Sequence, residues 1–158
     1  MKSETRWMLV DDNADILFTL SVLAGSLTTA AIESHRTPEA ALAAFTAAPG
    51  QYELIITDLE MPGMNGVELC RHLQAVSPAQ KIFLATGNGS MTAATARAAG
   101  FSALLKKPLS LTAVETALAQ AGLKMRGGES DLRKANIPLG GFWEPSRPQL
   151  RTGPEPTR

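Results

Sequence analysis

Asp58 ends an apolar run, Leu54-Ile55-Ile56-Thr57, and is followed at once by Leu59-Glu60-Met61-Pro62-Gly63-Met64-Asn65-Gly66. A carboxylate carried to the tip of a buried strand is costly unless something offsets its charge. Two other places offer partners: the acidic pair Asp11-Asp12, closing an earlier apolar run, and Lys107-Pro108, closing a later one. Three acids brought to one point resist ionising together unless a cation joins them. Mg2+ meets that need, because it prefers oxygen ligands and is commonly held by one or two carboxylates plus phosphate oxygens. Asp58 so placed can act as a nucleophile that forms an aspartyl phosphate. Lys107 offers a point positive charge and Thr86 a hydroxyl donor, both suited to a transferring phosphoryl group.

These residues need elements to position them, and the first ~124 residues alternate strand-like and helix-like segments. The strand candidates are Trp7–Asp11, Ala30–Ser34, Glu53–Thr57, Lys81–Thr86 and Ser102–Lys106. Several are apolar without alternation, as strands covered on both faces are. The first helix shows Ile16, Leu20, Leu23 and Leu27 at helical spacing. Thr37-Pro38-Glu39 starts the second, with a Thr cap and Pro at the first helical position. The third begins at Asn65 or Gly66, carries Val67, Cys70, Leu73 and Val76, and stops at Ser77-Pro78. The fourth runs from Met91 to Ala99 before Gly100, and its Ala-rich face can bury little area. The fifth starts at Ser110 and shows Leu111, Val114 and Leu118 before Gly122.

Five βα units predict a doubly wound α/β sheet, with right-handed crossovers placing helices on both faces. In such sheets ligands bind beyond the carboxyl ends of the strands. Asp11, Asp12, Asp58, Thr86 and Lys107 all fall at or just after those ends.

Composition narrows the classes. Lys+Arg and Asp+Glu are each 15, so the net charge is zero and no basic face argues for nucleic acid. Cys70 is the only cysteine, which excludes an internal disulfide and fits a reducing compartment. Its apolar neighbours predict a buried thiol. No leader-like stretch follows Met1, and Ile16 to Leu27 is too short to span a bilayer. A cytoplasmic location without membrane contact is expected. From Met125 the composition shifts: residues 125–158 hold five of the ten prolines and five of the thirteen glycines. This tail is expected to be disordered or a linker, with Phe142-Trp143 its one patch able to dock.

Residues 6–122 resemble the receiver domain of two-component response regulators. The resemblance rests on Val10-Asp11-Asp12-Asn13, on Asp58 through Gly66, on Ala85-Thr86-Gly87 and on Lys107-Pro108, in that order. It implies a flavodoxin-like, five-stranded parallel sheet of order 2-1-3-4-5 with five helices, spanning 1–124 as the receiver domain. It further implies that Asp58 is the phosphoacceptor and that Mg2+ is held by Asp12 directly, by Asp11 mainly through water, by Asp58 and by the backbone carbonyl of Glu60. Thr86 would bond the phosphoryl oxygen and draw its loop inward, and Lys107 would pair with the phosphate. The peptide before Pro108 is typically cis in the family. Gly87 would leave the pocket open, and the Glu60 side chain could influence the lifetime of the phosphoryl group. The implied donor is a histidine kinase or histidine phosphotransfer protein, and the implied output is a switched protein-interaction surface rather than an enzyme activity. Leu104 departs from the family, which commonly carries Tyr or Phe there, and the stretch from Thr86 to Gly100 is about one residue short.

Each element alone has a plainer meaning. Asp11-Asp12-Asn13 could be a helix cap, Lys107 a solvated charge, and Thr86-Gly87 a loop. Lys106 competes with Lys107, but the family places its lysine immediately before the proline. His35 and His72 read as surface or helix-face residues, and Trp7 and Phe83 as core. Two other classes compete. A phosphatase of the haloacid-dehalogenase type would want Asp where Glu60 stands, and a flavin binder would want a phosphate loop where Asp11-Asp12 would repel one. The tail is too short for an ordinary DNA-binding domain. A stand-alone receiver, or a receiver cut from a longer regulator or hybrid kinase, is the reading that remains.

Overall fold

The structure, a computed structural model, describes residues 4–126. Most of the tail expected to lack a core, including Phe142-Trp143, lies outside the described residues. Within them the elements run β1 (Arg6–Val10), α1 (Ala14–Leu27), β2 (Ala31–His35), α2 (Pro38–Ala47), β3 (Tyr52–Asp58), α3 (Gly66–Val76), β4 (Ile82–Thr86), α4 (Ala93–Ala98), β5 (Ala103–Lys106) and α5 (Leu111–Gln120). All strand pairs are parallel, in the order β2-β1-β3-β4-β5. This is the flavodoxin-like arrangement expected from the sequence.

The apolar strands are explained by two cores, one on each face of the sheet. Met8, Val10, Ile55, Ile82 and Leu84 point toward α2, α3 and α4, where Phe45, Leu69, Leu73 and Phe101 meet them. Their alternates Trp7, Leu9, Leu54, Ile56, Phe83 and Ala85 point the other way, toward Leu17, Leu20, Val114 and Leu118 of α1 and α5. Successive strand residues face opposite sides, so a sheet covered twice needs an apolar residue at nearly every position. Each such side chain contributes about 1.5–3 kcal/mol by leaving water. Trp7 is fully buried, and its indole N–H donates to Glu53 Oε1 at 2.9 Å.

Side-chain caps fix where each helix starts. Asn13 accepts from the N–H groups of Asp15 and Ile16, Thr37 from Ala40, Thr92 from Thr95 and Ser110 from Ala113. Asn65 and Glu68 form a reciprocal capping box on α3. These caps correct one expectation: Thr92 holds the start of α4 at Ala93, and Gly100, at φ +109°, ends it, so the helix has six residues.

Helix phase is the other correction. In α1 the buried residues are Leu17, Leu20, Ala24 and Leu27, in place of a stripe through Ile16 and Leu23. In α3 Leu69 joins Cys70 and Leu73 in the core, whereas Val76 is exposed. Leu111 is exposed as well. His35 is no plain surface residue: its ring lies 2.8 Å from Glu33, which also accepts from Tyr52 Oη at 2.8 Å and from Arg6 at 3.3 Å. Burial opposes ionisation of Glu33, but these partners together hold its carboxyl below the usual range. At the far end, Met125 packs against the α1–α5 core and the Arg126 N–H donates to the Leu27 carbonyl, so the chain stays on the domain past residue 124.

Candidate functional site

β2 and β3 lie on opposite sides of β1, so strand order reverses there and a crevice opens beyond the carboxyl ends of β1 and β3. Asp58 is the last residue of β3, Asp11 the first after β1, Thr86 the last of β4 and Lys107 the first after β5. Strand pairing therefore carries four residues, distant in sequence, to one rim.

Lys107 Nζ lies 2.8 Å from Asp58 Oδ1 and 2.9 Å from Asp11 Oδ2. Asp12 completes a cluster in which one carboxylate oxygen from each of Asp11, Asp12 and Asp58 lies within 4.8 Å of the others. Asp11 and Asp58 are buried. Asn13 caps α1, which leaves both preceding carboxylates on the rim, and its own N–H donates to Asp11 Oδ1 at 2.9 Å. Because burial disfavours charge and Asp11 repels it, the carboxyl of Asp58 sits above its usual range, although Lys107 pulls the other way. Burial would lower Lys107, but its bonds to Asp58 and Asp11 outweigh that and leave its pKa raised, so the ammonium stays charged.

One ammonium faces three carboxylates. This all-oxygen donor set, short of two positive charges, suits a hard divalent ion such as Mg2+.

The turn after β3 is held by close packing. The Gly66 N–H donates to the Leu59 carbonyl at 2.8 Å, and a Cβ at Gly66 would stand 2.3 Å from the Asp58 carbonyl oxygen. Only glycine lets the start of α3 come so near the backbone of Asp58. Gly63 turns the chain with φ +86°.

On the next strand, Thr86 is buried and its Oγ1 accepts from the Asn88 N–H at 2.9 Å. Its hydroxyl hydrogen can still be donated. Glu60 is exposed, and its carboxylate accepts from Asn88 Nδ2 at 3.3 Å. A Cβ at Gly87 would lie at ordinary contact, 3.8 Å, from Lys107 Cβ. Lys106 turns away and donates to the Met91 carbonyl at 3.0 Å, so Lys107 alone of the two reaches the acids. The Lys107–Pro108 peptide is cis.

Two rim residues escaped sequence reasoning. Asn88 ties Thr86 to Glu60, and its side chain accepts from the Ser90 N–H two residues on. That Asx-turn was the available signal, in the Asn-Gly-Ser run. Arg36 donates to the Asp12 carbonyl at 3.0 Å across 24 residues of sequence, which no local pattern marks.

Comparison with known proteins agrees with this geometry. The response regulator receiver domain profile matches residues 8–119, and the chain belongs to that family. The transcriptional regulatory protein FixJ of Rhizobium meliloti (strain 1021) is 30% identical over 129 residues, 81% of this chain. The chain spans 62% of the length of that relative. A response regulator receiver domain protein from Clostridium thermocellum superimposes with a TM-score of 0.68 at 21% identity, covering 85% of this chain and 99% of that one. A CheX–CheY complex with BeF3 and Mg2+ from Borrelia burgdorferi gives 0.70 at 16% identity, covering 76% and 90%. At such identities the two structures speak for the fold alone. The family places the chain in two-component signal transduction as a phosphoacceptor receiver, and the phosphatase and flavin readings are set aside. Among the described residues no helix is long and apolar enough to cross a membrane.

Proposed function

We propose that Asp58 accepts a phosphoryl group from a phosphohistidine on a histidine kinase or histidine phosphotransfer protein. The observation that carries this reading is the Lys107 ammonium bridging Asp58 and Asp11 at 2.8 and 2.9 Å, with Asp12 in the same cluster. An Asp58 oxygen would attack phosphorus as the phosphorus–nitrogen bond breaks and the donor imidazole leaves. Asp11, Asp12, Asp58 and the Glu60 carbonyl would hold Mg2+, which offsets negative charge on the nucleophile and the incoming group. Lys107 would then exchange its bond to Asp58 for one to phosphate, and Thr86 would turn its O–H to a phosphoryl oxygen.

Were the whole Thr86 side chain to swing toward phosphate in doing so, the bond from the Asn88 N–H would break and the loop leading to α4, a helix with only Ala96 buried, would shift. A short helix with little buried area moves at low cost. With Leu104 in place of an aromatic ring, the switch would run through this loop. Output would pass to a protein partner through the changed surface rather than to DNA or a membrane. The domain would catalyse only its own phosphorylation and dephosphorylation, and it would work in the cytoplasm.

The test is incubation with a phosphodonor and Mg2+. Wild type should gain an acid-stable, alkali-labile phosphoryl group, and Asp58→Asn should gain none. Equal labelling of the variant would refute the assignment.

A further inference from the structure

Lys107 gives its two bonds to Asp58 and Asp11 and none to Asp12. Yet the Asp12 carboxylate still lies within 4.8 Å of both, against the repulsion of two like charges. The end of β2 supplies a restraint. Arg36 donates to the Asp12 main-chain carbonyl at 3.0 Å, and the neighbouring His35 carbonyl accepts from the Asp11 N–H at 3.2 Å. Two consecutive residues, the last of β2 and the first after it, thus grip two consecutive acids of the β1–α1 loop.

The grip is on the main chain. Among the described residues Arg36 forms no ion pair with the Asp12 carboxylate, so it holds the residue without occupying the oxygens a cation would use.

We infer that Arg36 is a positioning residue for divalent-cation binding, fixing the β1–α1 loop so that Asp12 presents its carboxylate to the ion. This rests on the Mg2+ site proposed above. Its charge works in the opposite sense, since a guanidinium repels a dication. Arg36 is exposed, and in high-dielectric surroundings such a repulsion is weakened, whereas the bond to the carbonyl acts directly on geometry. Positioning therefore outweighs repulsion.

The experiment is calorimetric titration of Mg2+ into the metal-free full chain at physiological salt, for wild type, Arg36→Ala, Arg36→Lys and Asp12→Ala, with a thermal melt of each. Arg36→Ala should weaken Mg2+ binding about 10-fold, as loss of a group supporting a metal ligand does. Arg36→Lys, which keeps a donor for the carbonyl, should recover part of the loss. The metal-free melting temperature of Arg36→Ala should stay at the wild-type value. Unchanged or tighter binding by Arg36→Ala overturns the inference, as does a metal-free melt that falls in step with affinity. Wild-type binding that survives Asp12→Ala would instead sink the proposed metal site, a failure told apart by that variant alone.

Discussion

Replacing Lys107 by Met keeps the shape of the side chain and removes its charge, leaving Asp11 and Asp58 facing each other without their ammonium. At an effective dielectric of about 20, each contact at 2.8 or 2.9 Å carries roughly 6 kcal/mol of gross attraction. Most of that is cancelled by the cost of taking the charges out of water. The net loss on breaking a buried pair is about 3–5 kcal/mol, and Lys107 is only partly buried, which places the loss near 3. For a domain of this size that lowers the melting temperature by roughly 10 °C.

The sign with pH follows from Asp58. Its folded-state pKa is raised, chiefly by burial and further by Asp11, so its ionisation weakens the fold, and metal-free stability falls as pH rises through its titration. Without Lys107 that fall becomes steeper. Metal-free melts of Lys107→Met should therefore approach wild type where Asp58 is protonated, diverge toward neutral pH, and partly reconverge when Mg2+ is added. Lys107 itself has a raised pKa, so its own contribution holds below the ordinary lysine range and is lost only as pH rises through the raised value. A variant melting within about 2 °C of wild type at neutral pH without metal would refute the claim that the ammonium offsets clustered carboxylates.

Gly66→Ala should cost about 2–3 kcal/mol in a urea melt, because its Cβ would stand 2.3 Å from a backbone oxygen that cannot step aside; an unchanged midpoint would contradict the packing described. Gly87→Ala, with its nearest contact at 3.8 Å, should leave the melt unaltered. Cys70 is buried and its thiol is pushed up to about 11, so alkylation near neutral pH should occur only as the protein unfolds. Rapid modification of the native protein would show that the α3 face is open. Truncation after Arg126 should keep a cooperative melt, since Met125 and the Arg126 N–H are the last described contacts with α1. Loss of the transition would give the remaining chain a structural part.

The sheet was legible because a strand covered twice has no room for polar residues, which gives runs such as Leu54-Ile55-Ile56 that few other structures demand. Helix starts were legible where a cap is a single residue type, as at Thr37 and Asn65. Helix phase was harder. α1 carries apolar residues around most of its girth, including Phe18 at 70% and Val22 at 55% exposure, so several stripes fit its spacing equally well. The acids and the lysine could be assigned to one rim, since strand ends are a topological matter. Their supports could not. Arg36 reaches Asp12 and Tyr52 reaches Glu33 over long separations, and only the folded chain sets such pairs.

The most direct measurement is to phosphorylate the wild-type chain with Mg2+ present, trap the acyl phosphate by borohydride reduction, and map the modified peptide. The account predicts reduction at Asp58 alone, lost when Mg2+ is removed by chelation. A phosphoryl group mapped to any other residue, or one formed equally well without the metal, would contradict it.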